Sequence, residues 1–264
     1  PSSVTSIGNS TFRDCSSLTI VTFEEGSQLT SIELYAFSGC TSLKSIELPS
    51  SVISIEWSAF DGCSLLEIVI FEEGSQLTSI ELDAFNGCSS LASIEIPSNV
   101  TSIGDGAFFL CNSLESLTFG ENSQLTSIGS YAFQGCSSLA SIEIPSGVTS
   151  IGGTAFLGCS SLTSIEIPSG VTSIGNRAFQ GCSSLQITVV SDNAYYSSDN
   201  GSLYNKNKIT LIRGAGGVST VNILDTVTSI GSYAFQGCSS LASIEIPSSI
   251  TSIGSYAFQG CSSL

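Results

Sequence analysis

Ten cysteines, 22 carboxylates and no histidine define the chemistry open to this 264-residue chain. The cysteines are Cys15, Cys40, Cys63, Cys88, Cys111, Cys136, Cys159, Cys182, Cys238 and Cys261. No two stand in a CxxC pair and no histidine completes a zinc set, so the spacing argues against a metal centre. Stacked in register, neighbouring thiols would lie about one strand spacing apart, a little beyond the usual disulfide Cβ–Cβ distance. A ladder of free, buried thiols, each a small apolar filler, is the expectation. The carboxylates recur at one strand position as Glu47, Glu95, Glu143, Glu166 and Glu245. Glu143 and Glu166 fall on adjacent units, a pairing that would suit calcium or acid–base work. They recur by repetition, however, with no nucleophile or base beside them, so a solvated polar face that can serve a ligand is the simpler reading. Without histidine the commonest general base is missing, and no catalytic residue and no cofactor are expected.

The element that must position these residues is a repeat. Cys136–Gly158 returns almost unchanged from Cys159 and again from Cys238. Cysteine spacings alternate between 25 and 23 residues through the first half. Ten of the 14 Phe stand three residues before a Cys, and all six Pro share another column. Such register marks stacked rungs. Within a rung, Ser-Ile-Glu-Ile alternates with period two and reads as a strand that Pro145 ends. Val-Thr-Ser-Ile reads as a second short extended segment, and Ala-Phe-x-Gly-Cys as one helical turn. About ten or eleven rungs at the ~4.8 Å strand spacing would stack into a parallel sheet on one face. The expected fold is a β-dominant repeat solenoid with short helical turns, one solenoid over residues 1–264. The chain starts at Pro1 and stops at Leu264 inside a repeat, which reads as a segment of a longer protein.

The outward strand column reads Thr22, Glu47, Ile70, Glu95, Thr118, Glu143, Glu166, Val189, Asn222 and Glu245. Long rungs replace the proline turn with Phe23–Leu29, Phe71–Leu77 and Phe119–Leu125, placing Glu24, Glu25, Glu72, Glu73 and Glu121 on an acidic ridge or a solvated turn. Leu34, Trp57 and Leu82 share one column where later rungs carry Asp105, Ser130, Gly153 and Asn176. If that column faces water it is an apolar contact patch. The alternative is local packing. Ile20, Ile68 and Ile70 make the first rungs more apolar on the strand face as well.

One interruption separates Cys182 from Cys238. Its core, at about residues 186–220, reads as an elaborated rung with a hairpin over Ser202–Ile212. Tyr195, Tyr196, Tyr204, Lys206 and Lys208 are its candidate contact residues, with Arg213 nearby; a small self-filled core is the alternative.

The pattern Cys-x-x-Leu-x-x-Ile-x-Ile-Pro-x-x-Val-x-x-Ile-Gly-x-x-Ala-Phe resembles the BspA-like leucine-rich repeats over essentially the whole chain. Asn193-Ala-Tyr-Tyr196 and Asp199–Lys206 resemble that family's insertion. The resemblance implies a right-handed leucine-rich-repeat superhelix in an extracellular or cell-surface protein, implicated in adhesion, with no shared catalytic residues. Three rungs depart from it, with Glu33, Glu56 and Glu81 at the usual glycine; those positions cannot require a positive φ.

A formal charge of −16 argues against nucleic acid and anionic membrane as partners. No run is long and apolar enough to insert directly into a membrane. The first expectation is a non-catalytic adhesion or recognition module for a protein or glycan ligand. The second is a structural protein whose like ends self-associate end to end.

Overall fold

The computed structural model describes residues Pro1–Leu264. Each regular rung lays down one strand on each of two faces. On the first face, eight strands from Ile20–Val21 to Gln186–Val189 pair in rung order. On the second, eight two-residue strands from Ser6–Ile7 to Ser173–Ile174 do the same. Every pairing between rungs is parallel, for example Ile46 with Val69 and Ile55 with Ile80. Period-two alternation explains the first face: in Ser45–Leu48, Ile46 and Leu48 are buried while Glu47 is exposed.

The third side corrects the expected helical turn. Ala-Phe-x-Gly-Cys forms no helix anywhere in the chain. Alternate N–H groups there leave the rung: Tyr131, Phe133 and Gly135 donate to Gly153, Ala155 and Leu157 of the next rung. Those between them close four-residue turns, as Gln134 does to Tyr131 and Cys136 to Phe133. Left-handed backbone at Tyr131 (φ 60°) and Gly135 (φ 79°) breaks any helical run. The side is therefore a third inter-rung ladder made of turns.

The Ile-Gly glycines serve close approach, not a positive φ. A Cβ on Gly152 would sit 2.3 Å from the Ser130 nitrogen of the preceding rung. The left-handed column lies two residues further on and is mostly non-glycine, including Tyr35, Ser58, Asp83 and Tyr131.

Long and short rungs share one core. Leu29, Leu77 and Leu125 fill the positions that Val52, Val100 and Val148 fill in the proline rungs, and all six are buried. The extra residues of the long rungs lie outside. Glu24 and Glu72 turn back there: each accepts the N–H of a serine in the preceding turn, Ser2 at 2.8 Å and Ser50 at 2.9 Å. Glu25, Glu73 and Glu121 stay exposed. Through the centre, Phe12 to Phe179 form a continuous stack with ring centroids 5.2 to 5.7 Å apart. It stops at the insertion and resumes with Phe235 and Phe258.

The insertion is a meander of Tyr196–Asp199, Ser202–Asn205 and Thr210–Arg213, antiparallel throughout. Asn200 (φ 44°) and Gly201 (φ 76°) form its first tight turn, a pair of left-handed residues that an Asn-Gly sequence accommodates. Its last strand rejoins the solenoid, pairing Leu211 with Ile230 in the parallel sense.

Candidate functional site

The outer face of the long-strand sheet carries the glutamate column. Register pairs Glu47 with Ile70, Glu95 with Thr118, and Glu166 with Thr188. Val189 therefore does not belong to the column. Leu185-Gln-Ile187 has one residue fewer than Leu162-Thr-Ser-Ile165, so Val189 slips to the inward side opposite Ile167. Along this face glutamates mostly alternate with neutral residues, which keeps like charges two rungs apart; Glu143 and Glu166 are the adjacent pair. Glu245 lies beyond the insertion in a separate two-stranded sheet, opposite Asn222, so the five glutamates do not form one row. No group of three His, Cys, Asp or Glu side chains is placed to hold a metal ion.

Leu34, Trp57 and Leu82 do come together. Their backbones are laddered: the residues after Leu34 and Trp57 donate to the carbonyls of Trp57 and Leu82. Trp57 is 53% exposed, Leu82 36%, and Leu34 is half-buried. One residue earlier in each rung stand Glu33, Glu56 and Glu81, all half-buried. An apolar row thus runs beside an acidic row across three rungs. Ile20, Ile68 and Ile70 are exposed on the strand face of the same region. Close by, burial and the neighbouring Asp105 push the Asp83 carboxyl above the usual range.

The insertion residues divide. Tyr204 is fully buried in the core, not a surface contact: strands pair on both sides of it, at Ser197 and at Leu211, and its ring packs inward. Burial pushes its phenol up from the ordinary value. Tyr196 is half-buried, and its hydroxyl accepts the Ile174 N–H at 2.9 Å, covering the open edge of the short-strand sheet. Lys206 donates to the carbonyls of Ser191 and Asn193. Lys208 pairs with Asp199 at 3.6 Å. Tyr195 remains exposed.

Two residues in this region carry more than their sequence suggests. Asn193 is fully buried and saturated: its amide donates to Pro168 and Val171 carbonyls at 2.8 and 3.0 Å and accepts from the Tyr195 and Tyr196 N–H groups. It clamps the insertion to the preceding turn. Arg213 is only 3% exposed and reaches the core between Cys182 and Cys238. Its signal in the sequence is the gap in the Phe column between Phe179 and Phe235.

All ten cysteines are free; eight, from Cys40 to Cys238, are buried, while Cys15 and Cys261 in the terminal rungs are not. Each regular thiol donates to the carbonyl of the preceding rung's Phe, as Cys111 does to Phe85 and Cys136 to Phe108, both at 3.2 Å. Burial pushes the Cys63 and Cys111 thiols up to about 12. Burial also raises Cys182 to about 12, against the pull of the Arg213 guanidinium. These thiols are packing groups and stay protonated at neutral pH.

A family model of the BspA type leucine rich repeat region matches residues 5–124, 113–218 and 212–264, in six copies. No curated protein matches the chain. Among solved structures, a leucine-rich repeat protein from Bacteroides ovatus shares 26% identity over 100% of this chain and 76% of its own, with a TM-score of 0.65. A leucine rich cell surface protein from Faecalibacterium prausnitzii shares 28% identity over 92% and 66%, with a TM-score of 0.65. The pneumococcal vaccine antigen PcpA shares 28% identity over 88% of this chain, with a TM-score of 0.62. The chain spans 54% of PcpA. With the rung register, the thiol ladder and the match to nearly every residue together, the chain belongs to the BspA-type leucine-rich repeat family.

Proposed function

We propose that this chain is a non-catalytic recognition module of a cell-surface or secreted protein, and that it engages its partner through the first rungs. One observation carries the reading: the ladder of Leu34, Trp57 and Leu82, exposed at Trp57 and Leu82 and flanked by Glu33, Glu56 and Glu81. An aromatic anchor within an apolar strip supplies contact energy, and an acidic border selects a partner. With a formal charge of −16, the complementary surface is an apolar protein segment with a basic rim. The likeness to a leucine rich cell surface protein and to a pneumococcal vaccine antigen supports the location.

The test is binding of the chain to arrayed matrix proteins and glycans beside Trp57→Ala, with circular dichroism to show that the variant is folded. Specific capture that Trp57→Ala weakens by tenfold or more, about 1.4 kcal/mol, supports the reading. Capture indifferent to Trp57, or no capture with light scattering that grows with concentration, overturns it. The second outcome would favour end-to-end assembly.

A further inference from the structure

We propose that the edge where long and short rungs alternate docks a basic polyproline II segment of a protein partner. This surface lies on another side of the rung from Leu34, Trp57 and Leu82. It arises from the two-residue difference in length. In one long rung, Gly120 and Gln124 donate to the Ile96 and Ser98 carbonyls of the short rung before it, at 2.9 and 2.8 Å. Glu121, Asn122 and Ser123, between those anchors, make no inter-rung backbone bond and project. In the long rung before, Glu72 and Gln76 anchor in the same way to Leu48 and Ser50, and Glu73 and Gly74 project. The proline turn between the two projections is left as the floor of a notch.

That notch has a volume of about 540 Å³ and is lined by Phe71, Glu73, Glu95 and Pro97, among others. The next proline turn repeats it, with about 480 Å³ against Phe119, Glu143, Pro145 and Ser146. Phe71, Phe119, Pro97 and Pro145 are all partly exposed, and the three glutamates are exposed. Glu95 and Glu143 have no counter-charge, because the chain's ion pairs are Arg13 with Asp14 and Lys208 with Asp199. Each notch thus offers an aromatic ring, a proline ring and an unpaired carboxylate. A groove lined by aromatic rings and proline receives the prolines of a polyproline II helix, and the carboxylates call for Lys or Arg beside them.

Spacing selects the conformation. The two notches are two rungs apart, about 10 Å at the strand spacing. One turn of polyproline II, three residues at ~3.1 Å each, advances about 9 Å, so successive turns fall into successive notches. A β-strand returns a side chain to the same face every ~6.7 Å and misses the second notch. An α-helix is about 10–12 Å across with its side chains, too wide to enter a notch of this pitch. An extended glycan offers a repeat of similar length but usually no cation for Glu95 and Glu143. The sequence that fits is a three-residue repeat with prolines and one basic residue per turn.

Isothermal titration calorimetry on the 264-residue chain tests this. The probes are equally long peptides of repeated Pro-Pro-Arg, Pro-Pro-Glu and Gly-Gly-Arg, and a cello-oligosaccharide. Pro-Pro-Arg should bind, with each of the others at least about tenfold weaker, since Gly-Gly-Arg has the charge without the preformed helix. Glu95→Gln and Glu143→Gln, both exposed, should together weaken binding about tenfold. Glu245→Gln, the same charge change beyond the insertion, and Trp57→Ala should leave it unchanged. Replacing Phe71–Leu77 by Ile-Pro-Ser-Gly-Val, the turn of Ile144–Val148, removes one wall and should weaken binding about tenfold or more. Short rungs already stack directly at Cys136 and Cys159. Where circular dichroism shows that this replacement does not fold, the paired Gln variant carries the test. Gly-Gly-Arg binding as tightly as Pro-Pro-Arg, the cello-oligosaccharide binding in its place, or no heat from Pro-Pro-Arg at millimolar concentration would overturn the proposal. So would full affinity in the paired Gln variant or an equal loss in Glu245→Gln. Any of these leaves the recognition surface on the first rungs untouched.

Discussion

Raising the pH should dismantle this protein through its thiols. Cys111 and Cys182 are fully buried, and burial pushes both thiols up to about 12 from the ordinary value of 9.0. Burial lifts Cys88, Cys136 and Cys159 well above 9.0 as well. In the unfolded chain these thiols ionise near 9.0, while in the folded chain they keep their protons. Between those limits the folded state binds more protons, so stability falls as pH rises. The contribution is fully present below pH 9 and is lost as pH climbs from 9 towards 12. Each buried thiol removes about 1.4 kcal/mol per pH unit, or about 4 kcal/mol over three units. Against a typical stability of about 5–15 kcal/mol, several such thiols acting together should unfold the chain within about one to two units above pH 9. Urea unfolding followed by circular dichroism from pH 7 to 11 measures the slope. Cys111→Ala should flatten it by about 1.4 kcal/mol per pH unit. A stability that stays flat to pH 11, or the same slope in Cys111→Ala, would refute the buried thiol ladder.

Three substitutions probe other parts of the rung. Gly152→Ala should destabilise by about 2–3 kcal/mol, because the new methyl would press on the Ser130 nitrogen of the preceding rung; urea midpoints measure it. Asn193→Ala should cost about 3 kcal/mol by stranding two carbonyls and two N–H groups, and hydrogen exchange should rise first in the insertion. Leu110 sits at φ 56° where most rungs have glycine, so Leu110→Gly should stabilise by about 0.5–1 kcal/mol in the same urea assay.

The repeat made most of the fold legible. A Phe column and a Cys column at fixed spacing leave little freedom in how rungs can stack, and the solenoid stacks them in that register. What periodicity does not encode was harder to read. The left-handed column is filled by Tyr35, Ser58, Asp83 and Tyr131, none of which announces a positive φ as glycine does. The turn side resembles a helix start because Ala-Phe-x-Gly-Cys suits one, yet half its N–H groups are drawn to the next rung, a contact no single rung reveals. Val189 was misplaced by a one-residue deletion after Leu185, and in a strand a one-residue slip exchanges the faces. Tyr204 reads in the sequence as a candidate contact or as part of a small self-filled core, and the meander encloses it as the second reading has it. In the sequence Arg213 is one more basic residue of the insertion. Its place in the core follows from the absence of a Phe between Phe179 and Phe235, a gap visible in the sequence.

Trp57 is the chain's single tryptophan and stands at the centre of the exposed row, so its fluorescence reports on the recognition surface directly. The decisive measurement is acrylamide quenching of Trp57 in the free chain and with a captured partner at saturation. Recognition through the first rungs predicts strong quenching in the free chain and several-fold weaker quenching in the complex. A partner that binds tightly and leaves the quenching unchanged would contradict the account.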